Sequence, residues 1–189
     1  MESKPTSRSR RPRLDRALIV EAAIARVEQH GLEELSARKL AQDLGCEAMS
    51  LYHHVPSMEA LKDAMVDELL ASIAASAASR PTDALAEEAT AYLSLAQTHP
   101  GTFKLIATRR WKGERARAAA ARVIDRFVAL GFESRKALAR ARTLGAYLNG
   151  AGLALAAWAG DPDAAAKDGR QVKADLIWGL SAFVRRLSD

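Results

Sequence analysis

LSARKLAQDLGCEAMSLYHHV, running from Leu35 to Val55, is the stretch that decides how this chain is read. It parses into two short helices joined at Gly45. Ser36 stands where a helix N-cap belongs, and Leu40, Ala41 and Leu44 follow at helical spacing. Gly45 supplies the positive-φ conformation that a tight turn needs and a side chain would penalise. Beyond it, Leu51 and Val55, four apart, anchor a further helix to a core. Ala41 must be small because the two helices nearly touch there. Glu47, Ala48, Ser50, His53 and His54 are left facing outward. A short helix pinned by apolar residues on one side, with polar and aromatic groups on the other, suits insertion into a DNA major groove.

The flanks extend this pattern. Upstream, Asp15 can cap a first helix reaching about Gln29, with Val20, Ala23, Ile24 and Val27 on one face and Gly31 as the stop. Downstream, Pro56 and Ser57 open a long fourth helix carrying Leu61, Met65, Leu69 and Ile73. The spacing predicts that it runs to Arg80-Pro81, the boundary between two domains. Further helices are predicted over Asp83–Thr98, Gly101–Thr108, Gly113–Leu130, Ser134–Trp158 and Gln171–Leu187, separated by Pro- and Gly-containing breaks. No run of alternating β-branched residues argues for a sheet. The expectation is an all-α chain. Its parts are a disordered basic arm (1–13), a three-helix helix-turn-helix domain (14–56), a connecting helix (57–80) and a helical ligand-binding and dimerisation domain (81–189).

Composition agrees. Of 189 residues, 49% are apolar but only 5% aromatic, and alanine, a strong helix former that fills little space, makes up much of the difference. A net charge of +5 suggests a polyanionic partner without choosing between nucleic acid and membrane. The single cysteine, Cys46, cannot form an internal disulfide and reads as a small apolar residue at the turn. With an N-terminus lacking an apolar signal core, it fits a reducing cytoplasm. No apolar run is long enough to span a bilayer.

From Leu14 to about Leu70 the chain resembles the N-terminal domain of the TetR family of bacterial repressors, most tellingly in RKLAQDLG and LYHHV. The remainder matches only in architecture. The resemblance implies an Ω-like homodimer with two DNA-reading heads that leaves DNA on binding a small molecule. It also implies roles for single residues. Arg38 would reach a base edge, where its guanidinium suits bidentate contact with guanine. Ala48, Met49 and Ser50 would touch bases, the first two against thymine methyls. Tyr52 and His53 would grip phosphates, with His54 nearby and Lys39 a further phosphate candidate. Where family members commonly carry a lysine early in helix four, this chain has Met58. The basic arm, with Lys4, Arg8, Arg10, Arg11 and Arg13, is inferred to compensate. The alternative is an unstructured solubility tail.

For the ligand pocket the candidates are Tyr92, Phe103, Leu105, Ile106, Trp111, Tyr147, Asn149 and Trp158, though residues of these types are more often plain core than pocket lining. Asn149 interrupts an apolar face. If buried it needs partners, from a ligand or from a backbone carbonyl across a dimer interface. The tetracycline-responsive members hold a magnesium–drug complex with histidines. The aligned positions here are Ala74 and Leu105, which argues against such an inducer and for an apolar or aromatic organic effector. Gly145, Asn149, Gly152 and Ala156 form a small-residue stripe, and Ile177, Trp178, Leu180, Ala182, Phe183 and Leu187 supply bulk on the last helix. These are expected to form a four-helix dimer interface, unless the stripe packs within one subunit.

The function expected is a ligand-responsive transcriptional repressor that binds a near-palindromic operator as a homodimer. The rival is a sequence-nonspecific DNA-coating protein. A membrane-surface protein would need a cationic amphipathic first helix, which is missing. An enzyme would need a metal-ligand spacing, a Gly-rich phosphate loop or a Ser/His/Asp set, and none is evident. Adjacent His53 and His54 point about 100° apart on a helix and lack a third ligand, so neither metal nor cofactor is expected. Arg109 and Arg110 read as decoration of a surface turn.

Overall fold

A computed structural model describes residues 14–159 and 169–188. The chain is all-α, and the described residues contain no strand. The helices are α1 (Arg16–His30), α2 (Ala37–Leu44), α3 (Ala48–Tyr52), α4 (Met58–Ala71), α5 (Pro81–Thr98), α6 (Pro100–Thr108), α7 (Glu114–Ala129), α8 (Ser134–Ala159) and α9 (Gly169–Ser188). A 3₁₀ turn, Leu32–Glu34, links α1 to α2. The basic arm and the Gly160-Asp161-Pro162 break fall outside the described residues.

Local signals set the helix ends. The Asp15 carboxylate accepts the N–H of Leu18 at 2.9 Å and caps α1. Gly31 ends it at φ 84°. Ser36 caps α2 and Ser57 caps α4, the latter accepting from Ala60 N–H at 3.0 Å. Gly45 lies in the left-handed region at φ 64°, ψ 36°. Its N–H and that of Cys46 donate back to Gln42 and Ala41, closing α2 in a Schellman turn.

One boundary differs from the sequence expectation. Helix α4 stops at Ala71 instead of continuing to Arg80. The Ser72 hydroxyl and N–H both turn back onto the Leu69 carbonyl, a competing bond that serine offers a helix end. The following segment is then held by α5: Ser76 N–H donates to Glu88 at 3.1 Å, and the Ser76 hydroxyl binds Glu87.

Helices α1–α3 and the first turns of α4 enclose a small core of Ile19, Val20, Ala23, Val27, Leu40 and Leu51. Val55, just past α3, is buried with them. The rest of the chain packs around α8, which touches α5, α6, α7 and α9. Within the small-residue stripe of α8, Gly152 faces α6, whereas an added Cβ on Gly145 would meet nothing within 4 Å. A Cβ on Gly152 would lie 2.2 Å from Phe103 Cζ, so the glycine gives the Phe103 ring its place. Of the last-helix residues expected at a dimer interface, Leu180 is buried within the subunit, and Phe183 stacks on Tyr147 at 4.7 Å. Trp178 stays 75% exposed. No described helix is long and apolar enough to cross a membrane.

Candidate nucleic-acid interface and ligand cavity

The geometry of α3 follows from its length. Five residues make little more than one turn, so the helix is held from one side by Leu51. Met49 is therefore left 67% exposed, an unusual state for a large apolar side chain, and Tyr52, His53 and His54 are exposed with it. Ala48 and Ser50 are half-buried. Arg38 stands exposed near the start of α2. Lys39 is engaged by Glu34 in an ion pair. The head is braced by Arg26, whose guanidinium binds Asp43 at 2.5 Å and the Glu34 carbonyl at 3.1 Å.

A cavity of about 330 Å³ opens among α4, α5, α7 and α8. Its walls are mostly apolar, with Leu70, Ile73, Leu85, Val123, Leu144 and Leu148 prominent among them. Polar groups are few. The Tyr92 hydroxyl donates to Asn149 Oδ1 at 2.6 Å, and Asn149 Nδ2 donates to the Ala107 carbonyl at 3.2 Å. Burial pushes the Tyr92 phenol well above its ordinary value, so it remains a neutral donor. Asn149 thus finds its partners within its own subunit.

The head and the cavity are joined by charged contacts. Glu28 of α1 caps α6, accepting from Gly101 N–H at 2.9 Å and Thr102 N–H at 2.8 Å. Asp67 of α4 caps α7, accepting from Ala116 N–H at 2.8 Å. Between them, Arg109 reaches back to α4, donating to Asp63 at 2.6 Å and Glu59 at 2.9 Å. Asp63 is pushed up by burial, but hydrogen bonds from Arg109 and Lys112 outweigh this and hold it below the usual carboxylate range. Glu59, bonded by Lys62 and Arg109, is held low as well.

Comparison with known proteins places this arrangement. The family model for bacterial regulatory proteins of the tetR family matches residues 19–65. An HTH-type transcriptional regulator of Saccharopolyspora erythraea is 31% identical over 159 residues, covering 82% of this chain and 67% of that protein. The chain belongs to the TetR family of transcriptional regulators. The Escherichia coli tetracycline repressor protein class D is 44% identical over 59 residues, but that match spans only 31% of this chain and 27% of the repressor. The fold recurs in the transcriptional regulator SCO7222, a TetR from Streptomyces coelicolor (TM-score 0.77, 22% identity, 93% of this chain and 98% of that one). It recurs too in the Streptomyces coelicolor TetR family protein ActR, solved in complex with actinorhodin (TM-score 0.77, 18% identity, 93% and 96%).

Within this TetR-family frame the residues singled out from sequence divide clearly. Ala48, Met49, Ser50, Tyr52, His53 and His54 gather on and just after α3, with Arg38 and Lys39 on α2. Tyr92, Trp111 and Asn149 line the cavity. Phe103, Leu105 and Ile106 are buried in α6 and are not among the residues lining it. Tyr147 packs against α9, and Trp158 sits half-buried near the end of α8, both away from the lining. Arg109 forms an interhelical ion pair instead of decorating a turn. Glu28, Asp63 and Asp67 carry the junction and were not singled out. For Asp63 and Asp67 the one signal is the i, i+4 run Glu59, Asp63, Asp67 along α4; Glu28 carries no such signal.

Proposed function

We propose that this regulator is a homodimeric repressor that binds a near-palindromic operator and leaves it when a small apolar or aromatic effector enters the cavity. The observation that carries the DNA-binding part is the exposed row around α3: Met49 stands 67% free of the protein beside exposed Tyr52, His53 and His54, on a helix whose other side is anchored. In this reading Arg38, Ala48, Met49 and Ser50 meet base edges, while Tyr52, His53, His54 and Lys39 meet phosphates. Lys39 exchanges Glu34 for a phosphate on binding. The arm 1–13 supplies the positive charge that α3, without lysine or arginine, does not. Residues 14–56 act as the DNA-binding unit, 57–80 as the connector, and 81–189 as the effector and dimer unit.

The route for release runs through α4 and α6. Leu70 and Ile73, at the end of α4 and just beyond it, line the cavity, so a ligand there touches the connector directly. It also bears on Tyr92 and Asn149, and Asn149 is bonded to α6. Helix α6 is in turn fastened to α1 by Glu28 and to α4 through Arg109. A ligand that favours one arrangement of these helices by a few kcal/mol resets the separation of the two heads. Gly152 and Asn149 of the α8 stripe are occupied within the subunit by Phe103 and Tyr92, and so exposed Trp178 and Leu153 on the last two helices are the apolar groups assigned to the partner subunit.

Selection of binding sites from a random DNA pool with the full-length protein tests this reading. An enriched inverted repeat with half-sites about one helical turn apart supports it. A pool that stays random despite tight, salt-sensitive binding replaces it with nonspecific DNA coating.

A further inference from the structure

The cavity holds a positive charge that its own walls leave without a counter-ion. Three charged residues line it: Glu88, Arg122 and Arg142. Glu88 is already matched, accepting from Arg126 at 3.1 Å and from Ser76 N–H at 3.1 Å. Arg122 donates once, to the Ile73 carbonyl at 3.0 Å, and its Nε is buried with no hydrogen-bond partner. Arg142, on the same lining, forms no ion pair among the described residues.

We propose that the effector of this cavity is an apolar molecule bearing one acidic oxygen group, a carboxylate or its equivalent, which Arg122 binds. The proposal rests on the reading of the cavity as the effector site. A neutral hydrocarbon would fill the apolar walls but leave the Arg122 guanidinium with one carbonyl acceptor and no counter-ion, and charges beside apolar surroundings are seldom left unpaired. A guanidinium presents its N–H groups in a planar fork that matches the two oxygens of a carboxylate, and such charge-assisted bonds are the strong ones. The placement also has a consequence for release. The carbonyl that Arg122 now holds belongs to Ile73, two residues beyond the end of α4. An acid bound to Arg122 competes with that carbonyl, so recognition of the charge acts on the connector itself.

The test uses a matched pair of probes, naphthylacetate and its primary amide, titrated calorimetrically into the full-length protein near neutral pH. The two have nearly the same shape and differ in charge. The acid is expected to bind about tenfold or more tightly than the amide. Arg122→Gln is expected to bring the acid down to the amide's affinity and leave the amide unchanged, which also shows that the variant is folded. Arg122→Lys keeps part of the preference. Gly145→Leu, at a lining position where an added Cβ meets nothing within 4 Å, narrows the cavity and is expected to weaken binding of both. Equal affinities in the unaltered protein, or a preference that survives Arg122→Gln, overturn the assignment of the acid to Arg122 while leaving the cavity as the effector site. Affinities unchanged in Gly145→Leu, or no binding of either probe at millimolar concentration, overturn both.

Discussion

The carboxylate of Glu28, in the last turn of α1, accepts the backbone N–H of Thr102 at 2.8 Å and so caps a helix of the other half of the molecule. His99 precedes α6 but makes no side-chain cap. Glu28 takes that place, adding the Gly101 N–H and the Thr102 hydroxyl, the latter at 2.5 Å. The approach is close: a Cβ on Gly101 would lie 2.7 Å from the Val27 carbonyl. Negative charge at a helix N-terminus adds to these bonds. Glu28→Gln keeps one acceptor oxygen and loses the charge. The expected cost is about 1–2 kcal/mol, read as a lower urea midpoint with an unchanged slope. An unaltered midpoint would remove Glu28 from the junction.

Asp63 gives the junction a pH dependence. Its carboxyl lies below its ordinary value of 3.8 because the bonds from Arg109 and Lys112 outweigh burial. A folded-state value below the unfolded one contributes stability that is fully present above the unfolded value. That stability is lost as pH falls through the folded one. Asp63→Asn is therefore expected to be about 1 kcal/mol less stable than the parent near pH 6, with the difference shrinking as pH falls below about 4. Urea titrations at several pH values measure this. A constant difference across the range would mean that the ion pairs do not set it.

Gly152 and Phe103 make a second pair that can be tested. A methyl group at 152 would meet the Phe103 ring at 2.2 Å. Gly152→Ala raises helix propensity but overpacks the core, and a net loss of about 1–3 kcal/mol is expected in thermal unfolding. Adding Phe103→Leu should recover part of that loss, giving a non-additive double-mutant cycle. Strict additivity would show that the two side chains are not coupled.

On the DNA side, Met49→Ala and Arg38→Ala alter exposed residues, so thermal stability should stay within about 0.5 kcal/mol. Each should weaken binding to the selected site and relax preference at one base position, by about 1–3 kcal/mol for Arg38 if it reads guanine. Gel-shift titrations against single-base variants separate base reading from a uniform loss.

Deleting residues 1–13 should weaken DNA binding and flatten its salt dependence, because fewer phosphates are then neutralised. Equal affinities and equal slopes at several salt concentrations would restore the arm to a solubility tail.

The helices were legible because their punctuation is local. Asp15, Ser36, Gly45 and Ser57 each act within a turn of their own position, and each cap lies where the sequence reading put it. The end of α4 was missed because apolar spacing continues to Ile73, while the competing Ser72 bond leaves no trace in that spacing. The exposed face of α3 could be read from Leu51 and Val55, since pinning one side defines the other. The cavity could not. Whether an apolar helix residue faces a void or a neighbour depends on pairings across distant segments. Phe103 and Tyr92 look alike in sequence, yet only Tyr92 reaches the lining. The junction was hidden for the same reason. Asp67 and the Ala116 N–H it binds are too far apart in the chain for any periodicity to connect them.

The cap that Asp67 places on α7 bears on how far this family can be treated as interchangeable parts. A Cβ on Gly113 would fall 1.9 Å from the Asp67 carboxylate oxygen, so the aspartate of one half and the bare glycine of the other are shaped for each other. A chimaera carrying this head and α4 into a relative's body would leave Asp67 buried without its partner wherever that body's α7 did not begin with a glycine placed like Gly113. Reprogramming the sensor by domain grafting therefore means moving α4 together with the start of α7, and Glu28 together with the start of α6.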